Sequence, residues 1–213
     1  MESKKTLLAV FTSSLLLAGA AGAAGIDMDD PRRSVGREND VRVDAQLTRD
    51  TVSAGGPIAV TYQIQNFTDA TIAIADKLSD ASYDEDERTI TIAIGAEVPV
   101  DGAMPHMVTI APGEKKVLRA AAVPVFTASA LRATRNATPR YVQVKVTILR
   151  ELAPFLPLIQ NQSRAQLSDE LFNRWMESSD SIFLNAVPVG WMGRDSGGVD
   201  ASQRGSGRAR GGF

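Results

Sequence analysis

Apolar and polar residues alternate with a period of two along much of the chain between residues 41 and 149. Val41, Val43, Ala45 and Leu47 fall on one side while Arg42, Asp44 and Gln46 fall on the other, which is the pattern of a strand with one buried face. The pattern returns at Ile58, Val60, Tyr62 and Ile64. Between the two runs lies Ser53-Ala54-Gly55-Gly56-Pro57, a turn cluster in which glycine tolerates positive φ and proline ends a ladder. After the polar turn Asn66-Phe67-Thr68-Asp69, alternation resumes through Ile72 and Ile74, so a hairpin is expected there. Further strands are predicted over residues 89–94, 107–110, 116–125 and 141–149, with Ala111-Pro112-Gly113-Glu114 turning between two of them. Short strands at this spacing predict a mainly β, antiparallel sandwich over residues 41–149.

The text Val-Thr-Tyr-Gln-Ile-Gln-Asn-Phe-Thr-Asp at residues 60–69, followed later by Ile-Ala-Pro-Gly-Glu at residues 110–114, resembles the bacterial extracytoplasmic immunoglobulin-like domains. The resemblance covers about residues 41–149 and implies an immunoglobulin-like β-sandwich. Such domains serve as adhesion, adaptor and enzyme-appended modules, so the likeness bears on fold and leaves function to the site.

The pattern changes after Leu149. Leu152, Phe155, Leu156, Leu158 and Ile159 cluster around Pro154 and Pro157 and predict a packed connector. A short helix is predicted over residues 163–178: Ser163 and Gln166 have capping-box spacing, and Ser168 followed by Asp169 and Glu170 is an alternative start. Leu167, Leu171 and Trp175 share one face of that helix. Such a stripe ordinarily packs a helix on its own sheet, and its other use is to bind a partner. A last strand over 181–187 completes an extension spanning 150–192. From residue 193 to 213 the chain is mostly Gly, Ser, Arg and Asp and reads as a disordered tail, while the polar, charged stretch 25–40 reads as a flexible leader.

Ahead of that leader, Lys4 and Lys5 precede an apolar run over residues 6–17, and residues 18–25 are only alanine and glycine. This order predicts a signal peptide over residues 1–24, cut after one of residues 20–24. The apolar run is shorter than the roughly 20 residues that span a bilayer, so no stable membrane span is expected after cleavage. The expected location is periplasmic or secreted. The chain has 213 residues, no cysteine and a formal net charge of −2. Disulfide staples and thiolate zinc sites are therefore excluded, and the charge balance does not favour nucleic acid or an anionic membrane. The arginine-glycine text at 208–212 is a single short copy and carries no RNA-binding expectation.

Candidate chemistry is sparse. His106 is the one histidine, so a serine-histidine-carboxylate site has a single imidazole to draw on, and no serine stands in a nucleophile-elbow sequence. The acidic group Asp80, Asp84, Glu85, Asp86 and Glu87 lacks EF-hand spacing, with Thr89 at the sixth position and Gly95 at the twelfth, and reads as a solvated hairpin loop. Met104, His106 and Met107 offer thioether and imidazole, the ligand types that select Cu(I). The competing reading puts Met107 in the core and leaves Met104 and His106 at the start of a strand. No cofactor is predicted. The resulting expectation is an exported, non-enzymatic binding or structural module for an envelope protein or component, recognising it through sheet edges or loops. The alternative is a periplasmic copper-binding protein.

Overall fold

The computed structural model describes residues 25–126, 138–161 and 165–192. The predicted signal peptide over 1–24 and the predicted tail over 193–213 lie outside the described residues. The strands are β1 (Arg33–Glu38), β2 (Val41–Leu47), β3 (Thr51–Ser53), β4 (Ile58–Asn66), β5 (Ile72–Ile74), β6 (Ser79–Asp84), β7 (Thr89–Ile94), β8 (Val108–Ile110), β9 (Lys115–Ala122), β10 (Tyr141–Leu149), β11 (Ser179–Phe183), β12 (Val187–Pro188) and β13 (Gly190–Met192). Two α-helices, α1 (Leu156–Gln160) and α2 (Asp169–Ser178), stand between β10 and β11. The protein is mainly β, as the alternation predicts.

One sheet has the order β1-β2-β4-β9 and is antiparallel throughout. The second is built around β10. One edge of β10 takes β7 over residues 141–146 and then β5 at Leu149, and the other takes β11 and β12. β6 pairs with β7 and β8 with β5, so both extend the sheet beyond that first edge of β10. Val43, Tyr62 and Ile64 from the first sheet and Ile90, Ile92, Val144 and Val146 from the second meet in one core. Burial of alternate side chains in both sheets is what the period of two encodes.

Two pairings are parallel, β7 with β10 and β3 with β13. A parallel pair requires a long crossover. The chain supplies one by leaving β7, running through β8, adding β9 to the first sheet and then returning as β10. Where β7 ends, Gly95 has φ +91°, and a Cβ there would lie 2.3 Å from the carbonyl oxygen of Thr147. That close approach to β10 is open to glycine alone.

The region 25–40 corrects the expectation of a flexible leader. Arg33–Glu38 forms β1, joined to β2 by Asn39 and Asp40, whose φ values of 45° and 59° give the left-handed backbone favoured by two-residue hairpins. Its buried positions are Ser34 and Gly36, so no apolar period marks it. β6 is similarly silent, with Ala81 its one fully buried residue.

A second cluster lies on the outer side of the β10 sheet, where Ala73 and Leu149 face away from the shared core. The connector and α2 cover it with Leu152, Phe155, Ile159 and Trp175. Ser168 caps α2, its hydroxyl accepting from Leu171 N at 3.3 Å. Of the two helix starts that the sequence offers, the structure therefore uses the second. Hydrogen bonds from Met104 N to Ala165 O (3.0 Å) and from Leu167 N to Gly102 O (2.8 Å) hold the run before α2 to the loop after β7.

One buried polar residue ties several turns together. Asn66 Nδ2 donates to Ala70 O (2.8 Å) and Ile110 O (3.0 Å), and its Oδ1 accepts from Thr68 N (3.0 Å) and Thr68 Oγ1 (2.6 Å). Its backbone accepts from Gly113 N and donates to Glu114 O. Asn66→Ala is expected to lower stability by about 3 kcal/mol, because buried donors and acceptors lose their partners. Urea unfolding at neutral pH measures this, and a loss below about 1 kcal/mol would remove Asn66 from that role.

Candidate functional site

The stripe Leu167, Leu171 and Trp175 faces inward. Trp175 is 1% exposed, its Nε1 donates to Ala96 O at 3.1 Å, and its ring meets Phe155 edge-on at 5.6 Å. Leu167 and Leu171 are half-buried against the same cluster. All three are engaged by the protein's own second core. Ending the chain at Gln162 would strip away that cover together with β11, β12 and β13.

Met104 and Met107 are also in this cluster, 2% and 3% exposed. His106 points the other way, with 42% of its side chain exposed and Nδ1 2.7 Å from Asp76 Oδ1. A copper ion held by all three would have to draw both sulfurs out of the core. Among the described residues there is no group of three or more His, Asp or Glu placed to hold a metal. In the acidic hairpin Asp84 Oδ1 accepts from Asp86 N (2.9 Å) and Glu87 N (3.0 Å). That carboxylate shapes its own turn.

The outer edge of β1 is occupied. Val35 N donates to Asn185 Oδ1 at 2.6 Å, Asn185 N donates to Val35 O at 3.1 Å, and Ser34 Oγ donates to Asn185 O. At the far side of the same sheet, Ser79 Oγ of β6 donates to Ala121 O of β9 at 2.9 Å. Lys116 Nζ donates to Thr109 O at 2.7 Å, which ties β9 to β8. Strand addition, one of the two expected modes of recognition beside loops, therefore finds the β1 edge occupied and the β9 edge crossed by β6 and studded with Lys115, Lys116 and Arg119.

What the first sheet presents is its outer face. The strand registers place Arg37, Arg42, Gln65 and Lys115 in one cross-strand row, Val35, Asp44, Gln63 and Val117 in the next, and Arg33, Gln46, Thr61 and Arg119 in a third. Five cations thus share the face with the Asp44 carboxylate, and residues 27–30 cross the third row, where Gln46 Nε2 donates to Asp30 Oδ2 at 2.5 Å, Asp27 N donates to Gln46 Oε1 at 3.4 Å and Arg33 Nη1 donates to Met28 O at 3.1 Å. The Asp44 side chain is 3% exposed, held by Arg33 Nη2 at 2.5 Å and by Arg42 Nε at 2.9 Å and Nη2 at 3.1 Å. Arg33 and Arg42 reach in to Asp44 from the rows on either side, which accounts for the burial of its carboxylate on the outer face. Arg37 pairs with Asp40 at 3.0 Å. Lys115 and Arg119 are exposed and make no ion pair among the described residues.

The chain matches no family model, no curated protein and no solved structure.

Burial pushes the Asp44 carboxyl up, and the hydrogen bonds and charges of Arg42 and Arg33 more than reverse this, holding it below its ordinary value. A depressed folded-state pKa adds stability above the unfolded value, near 3.9, and that stability is lost as pH falls through the folded one. Asp44→Asn is expected to cost about 2 kcal/mol at pH 7, since two partly exposed guanidinium groups lose a buried carboxylate and solvent screens part of the loss. The gap between wild type and variant should narrow below about pH 4. Urea midpoints at pH 7 and pH 3 measure it, and a gap that does not change with pH would show that Asp44 acts through packing rather than charge.

Proposed function

We propose that this is an exported, non-enzymatic binding module that docks an anionic component of the cell envelope on the outer face of the β1-β2-β4-β9 sheet. The observation that carries the reading is the placing of Arg33, Arg37, Arg42, Lys115 and Arg119 by strand register on one outer sheet face, which residues 27–30 cross at Gln46 and on which Arg37, Lys115 and Arg119 stay exposed. Concentrated charge of one sign on a rigid surface attracts and orients a partner of the other sign. Two stitched edges favour recognition by the face over recognition by strand addition.

Export rests on the charged, apolar and small-residue order of residues 1–25. The two-layer β architecture and the likeness of residues 60–69 and 110–114 to extracytoplasmic immunoglobulin-like domains support a recognition role. A non-enzymatic reading accords with the state of the imidazole. His106 bonds to Asp76 on the surface. The nearest phenol in electrostatic terms, Tyr62, is fully buried, and that burial, with the Asp76 charge added, pushes it up. Neither arrangement gives a substrate both an approach and an activated nucleophile.

The test is cross-linked capture from the envelope fraction of the source organism, comparing wild type with the charge-reversed Arg37→Glu/Lys115→Glu/Arg119→Glu variant. All three side chains are exposed, so unfolding temperatures should stay within a few degrees. The variant should lose the specific captured component by about tenfold or more at physiological salt. Equal capture by both proteins sinks the reading.

A further inference from the structure

A second surface lies on the outer side of the β10 sheet, and we infer that it binds a neutral oligosaccharide. The inference goes beyond the cationic face and does not depend on it. Strand registers set Asp84, Thr89 and Tyr141 in one row, Ser82, Thr91 and Gln143 in the next, and Asp80, Ala93, Lys145 and Phe183 in a third. Their neighbours along each strand, among them Ile90, Ile92, Val144 and Ile182, are in the shared core, so the three rows face outward. The connector and α2 cover that sheet at Ala73 and Leu149, which lie beyond the third row.

Two aromatic rings stand at opposite corners of this patch, Tyr141 42% and Phe183 55% exposed. Four residues along β10 and one strand across put them about 14 Å apart. Phe183 is held in place. Lys145 Nζ lies 5.3 Å from its ring centroid, Lys145 pairs with Glu97, and Ser181 Oγ donates to Glu97 Oε1 at 2.8 Å. A ring already fixed loses little freedom when a ligand stacks on it. The apolar C–H face of a sugar ring suits such a platform. Two platforms farther apart than one sugar ring is wide call for a chain of sugars.

Between the rings the middle row is uncharged, and its groups both donate and accept. Gln143 Nε2 donates to Leu184 O at 3.0 Å, which fixes the amide and leaves its Oε1 and one N–H for a ligand. The hydroxyls of Ser82, Thr91 and Tyr141 make no hydrogen bond among the described residues. Sugar hydroxyls likewise donate and accept, so a glycan can satisfy each of these groups. Charge stands at the rim: Asp80 and Asp84 on β6, exposed Arg140 beside Tyr141, and Lys145, which Glu97 neutralises. Asp80 Oδ1 already accepts from Ala81 N at 2.8 Å, and Asp84 Oδ1 from Asp86 N at 2.9 Å. A polyanion or a polycation therefore finds no matching stripe across the centre. Size argues against a folded protein. Four strands span about 14 Å and the rows cover about 13 Å, on the order of 200 Å², against about 800 Å² per partner in a standard interface.

The experiment titrates the full chain from residue 25 with cellohexaose, maltohexaose and chitohexaose by isothermal titration calorimetry. At least one of these neutral sugars should bind saturably, with an affinity that changes less than about twofold between low and high salt. Tyr141→Ala and Phe183→Ala should each weaken that binding by about tenfold. Tyr141→Phe keeps the ring and should cost about threefold. Both positions are exposed, so unchanged thermal unfolding of each variant separates lost binding from lost fold. Arg37→Glu/Lys115→Glu/Arg119→Glu should bind the sugar as wild type does, so this inference and the proposed docking face fail separately. Loss of sugar binding in that variant places the sugar on the other sheet and overturns the inference. Binding of none of the three sugars, binding indifferent to both alanine variants, or binding that weakens steeply with salt overturns it as well.

Discussion

The structure depends on the backbone of β10. Nine residues long, with Val142, Val144, Val146 and Ile148 all turned into the core, it is a buried strand whose amides and carbonyls must find partners on both edges. No single strand of this protein does that alone. β7 supplies most of one edge in parallel, β5 completes it at Leu149, and β11 and β12 divide the other between them.

That requirement explains why the C-terminal segment is integral to the fold. To satisfy the second edge of β10 the chain must return after α2, and in doing so it passes alongside the far edge of the first sheet. Asn185 then bonds β1, and Gly36 leaves room for the approach: a Cβ there would lie 2.7 Å from Phe183 O. Arg150 strengthens the seam, its Nε donating to Asp180 Oδ2 at 2.6 Å while its Nη1 reaches Asn39 O at 3.2 Å. α2 is carried in the same loop, so Trp175 is pressed onto the outer side of the β10 sheet. Closure of the sandwich and burial of the tryptophan follow from one pairing need.

The parts of this arrangement that alternation could reveal were those with large apolar residues on one side. β2, β4, β7 and β10 are legible because their inward residues are valine, isoleucine, leucine and tyrosine. β1 and β6 are not, because Ser34, Gly36 and Ala81 fill inward positions at the sheet rims, where little depth needs filling. Parallel pairing of β7 with β10 leaves no local signal, since direction is decided by a crossover dozens of residues long. The helix stripe was legible as a stripe, and Ser168 as its cap, but nothing in Leu167, Leu171 and Trp175 says whether the surface they meet belongs to this chain. The turn at Asn66 was legible but the hairpin expected there does not form, because β4 pairs with β2 and β9 while β5 pairs with β10 and β8, so the turn carries the chain from one sheet to the other. The bond from Asn66 to Ile110 O has no trace in spacing.

The proposed docking face was hidden for a related reason. A net charge of −2 describes the whole chain, and the cations that matter are scattered over three separate strands, one of them the unrecognised β1. Register alone assembles them: the two-residue turn at Asn39 and Asp40 sets Arg37 against Arg42, and the β4–β9 ladder brings Lys115 and Arg119 to the same side. Some compensating acids sit against that face, Asp30, Asp40 and Asp44, and others, Asp84, Glu85, Asp86 and Glu87, stand at the tip of the β6–β7 hairpin in the other sheet. At a Debye length of about 8 Å under physiological salt a partner on one face responds to the charges of that face more than to the total. Average charge therefore sets solubility here, while strand register decides which ions a partner meets.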